Sequence, residues 1–161
     1  MNIQTLFEAH HDEIYRYVWR QCFDDQAAQD IVQDTFLKAM HALPDLRDHS
    51  NLRAWLYRIA ANTLRDYWRR DNRYPQVALD EGLVSAGGIE ATYDQREALA
   101  ELAAAIARLP EKQRQCLLLA RYQELSYDDI GAVLDISADA ARANVYQATK
   151  KLREQLVEVV E

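Results

Sequence analysis

The chain has 161 residues, 49% of them hydrophobic, and a formal net charge of −7. That supplies enough apolar surface for one core or two small ones, and the acid excess excludes a coat that holds nucleic acid by bulk charge, so any DNA contact must use local patches. Cys22 and Cys116 are too few and too far apart for a disulfide framework or a metal knuckle, and they read as reduced, buried thiols.

The N-terminal stretch MNIQTLFEAHHDE has neither the basic nor the apolar region of a signal peptide. No apolar run approaches the ~20 residues of a membrane span, so a cytoplasmic protein without membrane insertion is expected. Residues 3–22 read as a first helix with Leu6, Phe7, Ile14, Val18 and Cys22 on a rough apolar face. The string His10, His11, Asp12, Glu13 points in several directions on a helix and lacks metal-ligand spacing, so it reads as a solvated face and no metal is expected.

A second helix is expected over 26–43, capped by Asp24 or Asp25 and ended by Pro44. Ala28, Ile31, Val32, Thr35, Phe36, Ala39 and Met40 face inward, and Asp30, Gln33, Asp34 and Lys38 outward. After the polar loop at 44–49, residues 50–73 form a third helix with Ser50 as N-cap and Leu52, Trp55, Leu56, Ile59, Thr63 and Tyr67 on one face. Beside that face, Arg58, Asn62, Arg65 and Arg69 share a stripe at spacings of four, three and four. Trp68 flanks the stripe, and Arg70 and Arg73 extend it. Guanidinium groups suit phosphates and an indole suits an unpaired base, so nucleic-acid binding competes here with a solvated helix face.

Residues 74–97 carry Pro75, Gly82, Gly87 and Gly88, little periodicity, and five acidic against one basic side chain from residue 76 on, the marks of a linker. Helix resumes over 97–108, breaks at Leu109-Pro110 and continues over 111–123 with Cys116, Leu117, Leu119 and Ala120 inward. Ser126 and Asp129 make an Asp variant of the capping box for a short helix over 127–133. A turn at Leu134-Asp135-Ile136 follows, and Ser137 caps a longer helix to about residue 157. A short helix, a tight turn and a longer helix outline a helix-turn-helix DNA reader.

Three stretches in this order resemble one family. DIVQDTFLKA (30–39) resembles the acidic second helix of bacterial sigma factors, and WLYRIAANTLRDYWRR (55–70) their promoter-melting helix. LPEKQRQCLLLARYQELSYDDIGAVLDIS (109–137) and KKLREQL (150–156) resemble their C-terminal helix-turn-helix domain. The chain is identified as a member of the extracytoplasmic-function (ECF) group of the sigma-70 family. The resemblance implies an all-α fold of two small helical domains, a region 2 bundle at 1–73 and a region 4 helix-turn-helix at 98–161, joined by a flexible acidic linker at 74–97. It implies a sigma factor that binds core RNA polymerase, selects promoters and assists their opening.

The same resemblance implies roles. Asp30, Gln33, Asp34 and Lys38 would dock on the coiled coil of the polymerase β′ subunit, with the β subunit a further partner and the acidic linker threaded through the enzyme. The 44–50 loop and Arg58, Asn62, Arg65, Trp68, Arg69 and Arg70 would engage the −10 element, with one base flipped from the non-template strand. Ser137, Asp139, Arg142, Ala143, Asn144, Tyr146, Gln147 and Lys150 would meet the −35 element. An anti-sigma factor is an expected partner.

The reading helix departs from the family pattern. It offers Arg142 and then no cation until Lys150 and Lys151, with Asn144, Gln147 and Thr149 where Arg is common, and Asp135 holds a turn position usually given to Gly. Weak −35 contact is therefore expected. A decoy that only sequesters an anti-sigma protein would not need the cations of the 58–69 stripe. An enzyme is not expected: there is no P-loop, dinucleotide fingerprint, metal-ligand spacing or nucleophile–base constellation, and so no cofactor or small-molecule substrate is called for.

Overall fold

The computed structural model describes residues 1–71 and 92–160. Among these there are seven α-helices and no strand. Most of the expected linker lies outside the described residues. Its last residues do not, because Thr92 and Gln95 form a reciprocal capping box that starts a helix at Tyr93, four residues before the expected boundary.

The N-terminal half packs three helices. Helix α1 (Ile3–Cys22) is capped by Asn2, whose side chain accepts from the Thr5 N–H, and ends at Phe23 in the left-handed region. Helix α2 (Asp25–Ala42) is capped by Asp24, which accepts from Gln26 and Ala27, and a 3₁₀ turn at Leu43–Asp45 follows. Helix α3 (Leu52–Asp71) is capped by Asn51 rather than Ser50: Asn51 Oδ1 accepts from the Ala54 N–H at 3.1 Å. Leu6, Ile14, Tyr17, Ile31, Leu56, Tyr57 and Leu64 are fully buried between them.

The C-terminal half packs helix α4 (Tyr93–Ala107), α5 (Glu111–Leu117) and α6 (Tyr127–Leu134) around the long α7 (Ala138–Val160). A π-helical turn, Leu118–Tyr122, extends α5, so the Gln123 N–H reaches back to the Leu118 carbonyl. Between α6 and α7, Asp135 adopts φ 59°, and Gly131 is required by close approach: a Cβ there would lie 2.5 Å from the Ile136 carbonyl oxygen. Ser126 and Ser137 cap α6 and α7 by accepting from Asp129 and Ala140.

Four expected inward positions outside α3 are less buried than expected: Phe7, Met40, Ala120 and Cys22, the last half-buried at the end of α1 while Cys116 is buried. Phe7 and Met40 are 43% and 41% exposed, because α1 and α2 leave an open groove between them on the side away from α3. Ala120 is half-buried in the π turn. On α3 the buried set is broader than one stripe: Tyr57, Ala60, Leu64 and Trp68 join Leu56 and Thr63, while Leu52, Trp55, Ile59 and Tyr67 are half-buried. The reason is that α3 is covered from two sides, by α2 and by α6 of the C-terminal half. The buried apolar residues of both halves form one continuous cluster, so the two halves are packed together rather than strung apart.

Candidate nucleic-acid interface

Helix α3 turns the expected stripe outward. Arg58, Asn62, Arg69 and Arg70 are exposed and Arg65 is half-buried. Three guanidinium groups on one helix flank, Arg58, Arg65 and Arg69, with the Asn62 amide among them and Arg70 adding charge at the C-terminal end, form a surface that can follow a phosphate backbone. Trp68 departs from expectation: it is 5% exposed and lies under the Arg114 guanidinium, whose carbon is 5.7 Å from the ring centroid. In this arrangement the indole belongs to the core, and no base can stack on it. The sequence could not show this, because Arg114 reaches it from the other half of the chain.

On α2, Asp30 and Gln33 are exposed, and Asp34 and Lys38 are half-buried. Lys38 Nζ sits 3.5 Å from Asp34 and donates to Thr63 Oγ1 on α3 at 3.1 Å, so this lysine ties two helices together as well as facing solvent.

The second cationic surface lies on α7. Ser137 is spent on capping, Asp139 pairs with Arg142 at 3.1 Å, and Asn144 Nδ2 donates to the Ala140 carbonyl at 2.8 Å. Ala143, Gln147 and Lys150 are exposed, and Tyr146 is 66% exposed. The gap between Arg142 and Lys150 is filled from elsewhere. Arg121, at the end of the π turn, and Arg153, one turn beyond Lys150, line the same groove of about 510 Å³ with Arg142, Lys150, Tyr127 and Tyr146. The Arg142 guanidinium lies over the Tyr127 ring at 5.2 Å. Sequence reasoning missed Arg121 and Arg153, because the first belongs to another helix and the second lies beyond the expected reading residues. The reading surface is more basic than α7 alone.

Residues 6–74 match the sigma-70 region 2 family model, and residues 99–152 match sigma-70 region 4. The RNA polymerase sigma factor YlaC of Bacillus subtilis is 31% identical over 96% of this chain and 92% of its own length. The chain belongs to the sigma-70 family of RNA polymerase sigma factors. The ECF RNA polymerase sigma-E factor of Salmonella typhimurium is 31% identical over 76% of this chain and 70% of its own length, which places the chain in the extracytoplasmic-function group. Among solved structures, CnrH in complex with the cytosolic domain of CnrY superposes with a TM-score of 0.73 at 26% identity, covering 97% of this chain and 88% of that one. The sigma factor RpoE of Bartonella quintana, bound to the anti-sigma factor NepR, has the same fold at a TM-score of 0.74 and 23% identity, covering 95% of both chains. An alternative sigma factor directs RNA polymerase to promoters, and the two cationic surfaces lie one in each matched region. No described helix is long and apolar enough to cross a membrane.

The halves meet through a buried polar seam. Gln123 is 5% exposed, and its Nε2 donates to Tyr57 Oη at 2.6 Å and to the Glu13 carbonyl at 3.1 Å. Its Oε1 accepts from Arg20 at 2.7 Å, and its carbonyl accepts from Arg53 at 2.6 Å. Tyr17 Oη donates to Gln115 Oε1 at 2.7 Å, and Gln115 Nε2 donates to Gln21. Burial raises the pKa of Glu13, but hydrogen bonds from His10, Tyr57 and Arg53 outweigh it, so the carboxyl titrates below the ordinary range. Burial also lowers the pKa of Arg114 and holds the Tyr17 and Tyr57 phenols protonated. His10 and Glu13, expected on a solvated face, are instead half-buried, because Arg53 and Tyr57 of α3 close over the Glu13 carboxylate. The other seam residues carry no periodic signal in the sequence, where they are scattered glutamines, tyrosines and arginines.

Proposed function

We propose that this sigma factor uses its three sequence-matched surfaces in division. The α2 face with Asp30, Gln33 and Asp34 docks on the β′ subunit of core RNA polymerase, with Lys38 bracing that face against α3. The α3 stripe of Arg58, Asn62, Arg65, Arg69 and Arg70 holds the −10 element and its non-template strand. Arg121, Arg142, Lys150 and Arg153, with Tyr146 and Gln147 exposed beside them, meet the −35 element. The two domains span 1–73 and 98–161, and the protein acts in the cytoplasm as a transcription initiation factor rather than an enzyme. An anti-sigma factor is its regulator, a reading supported by the two complexes that share the fold.

The observation that carries the reading is the outward cationic stripe on α3 within a chain of net charge −7. A solvated helix face has no need to collect three arginines on one flank while acids prevail elsewhere. The test is transcription in vitro with core polymerase over genomic fragments, mapping start sites. Discrete starts that depend on the added chain, and that vanish when Arg58 and Arg69 are changed to alanine, are expected. Random or absent initiation would overturn it.

A further inference from the structure

We propose that a cavity between α1, α4 and α5 is a binding site for one small monovalent anion of halide size, held between the guanidinium groups of Arg20 and Arg114. The cavity measures about 20 Å³, and Phe23, Ile106 and Ala107 are among the apolar side chains that wall it. That space takes a guest about as large as one water molecule and is too small for a phosphate or a sulfate.

The case rests on two inward cations without a counter-charge. Arg114 is 7% exposed, and its Nε has no hydrogen-bond partner among the described residues. Its guanidinium lies over Trp68, which offers a π face and no acceptor. Arg20 is half-buried, donates to Gln123 Oε1 at 2.7 Å and lies over the Tyr122 ring at 4.8 Å, so both of its partners are neutral. Gln21, on the same cavity, is 1% exposed and spent on Tyr17 and Gln115. Neither arginine is ion-paired with a carboxylate among the described residues.

Burial pulls the pKa of both guanidinium groups down, and the Arg16 charge pulls Arg20 further the same way. Glu111 offsets the effect on Arg114 only from a distance. A buried cation without a counter-charge is costly, and a guanidinium does not shed its proton to escape that cost. A water molecule in the cavity would accept a hydrogen bond from Arg114 but bring no charge. A halide-sized anion does both, and it would join α1 to α4 and α5 through one ion.

The test uses the full chain at fixed ionic strength, with sodium chloride replacing sodium glutamate. Ala107→Val places two further methyl groups at the cavity wall and leaves both arginines in place. General salt effects on stability act on both proteins, so the gap between their melting midpoints isolates the site. That gap should move in favour of wild type by about 2–6 °C as chloride replaces glutamate. Chloride NMR lines should broaden with wild type and sharpen again when bromide competes. They should stay narrow with Ala107→Val and with Arg114→Met. Should Arg114→Met fail to fold, Ala107→Val decides alone. An unchanged gap with no broadening shows that the cavity takes water alone and overturns the site. Broadening that survives in the variants means an adventitious ion only, and overturns it as well.

Discussion

Gln123 Nε2 lies 2.6 Å from Tyr57 Oη, although 66 residues separate the two in the chain, and Tyr57 Oη in turn donates a hydrogen bond to Glu13 Oε1 at 2.7 Å. One glutamine from the C-terminal half therefore completes a hydrogen-bonded chain that begins on α1 and crosses α3. Such a chain couples the ionisation of Glu13 to the packing of the two halves.

Acid should loosen the molecule through that chain. Glu13 has a folded-state pKa below the ordinary 4.5, so its contribution is fully present above the unfolded value and is lost as pH falls through the folded value. The groups facing it are His10, Arg53 and Tyr57. Denaturant midpoints measured from pH 6 down to about pH 3 should fall more steeply for wild type than for Glu13→Gln.

Trp68→Ala should be costly to the fold itself. A nearly buried indole removed from a helix between two packed halves leaves a cavity, with an expected loss of about 3–5 kcal/mol. Urea unfolding followed by circular dichroism checks it. A loss below about 1 kcal/mol would show that the indole spends much of its time in solvent.

Core binding should depend on the outer face of α2. Asp34→Lys places a second cation beside Lys38 and reverses the charge offered to polymerase. The exposed pair it breaks contributes little to stability, so helicity should persist while core affinity drops by more than about 1 kcal/mol. Unchanged retention on immobilised core polymerase would count against this face.

The −35 contact should be more salt-sensitive than α7 alone implies. With Arg121, Arg142, Lys150 and Arg153 in one groove, each cation that reaches a phosphate adds about 0.9 to the slope of log K against log salt. Arg121→Gln and Arg153→Gln should each flatten that slope by about one unit in the full chain. Equal slopes for wild type and both variants would place the two arginines off the DNA.

Gly131→Ala should destabilise by roughly 1–3 kcal/mol, because the added methyl meets a backbone oxygen that cannot swing aside. A thermal scan of the full chain measures it, and an unchanged midpoint would show that the turn between α6 and α7 yields freely.

Much of this was legible in the sequence, for identifiable reasons. The first two helices, the capping serines at 126 and 137, the turn at Asp135 and the α3 stripe all rest on local rules: period, capping chemistry and the short side chains that tolerate a left-handed turn. Ser50 failed as a cap because Asn51, one residue on, offers an equivalent oxygen, and local rules do not rank two such neighbours. Trp68 failed for a different reason. Its place on α3 was read correctly, but its burial depends on Arg114, 46 positions away, and helical period carries no information about a second covering surface. Arg121 and Arg153 were overlooked because a groove between helices is a product of tertiary packing, and reading one helix at a time cannot assemble it.

The π-helical turn at Leu118–Tyr122 has a consequence for how the chain tolerates deletion. A π turn is a helix carrying one residue more than its period needs, so removing Ala120 would let α5 run on as ordinary α-helix without leaving a gap. The wide turn absorbs that residue locally, so the segment after it would keep its phase relative to Cys116 and Leu117, with Gln123 still facing Tyr57. The same loss within α5 proper would instead turn every downstream residue by about 100°, taking Gln123 away from Tyr57 and Arg121 out of its groove. A deletion scan would tell the two turns apart, a difference that substitution scanning, which keeps the register, would pass over.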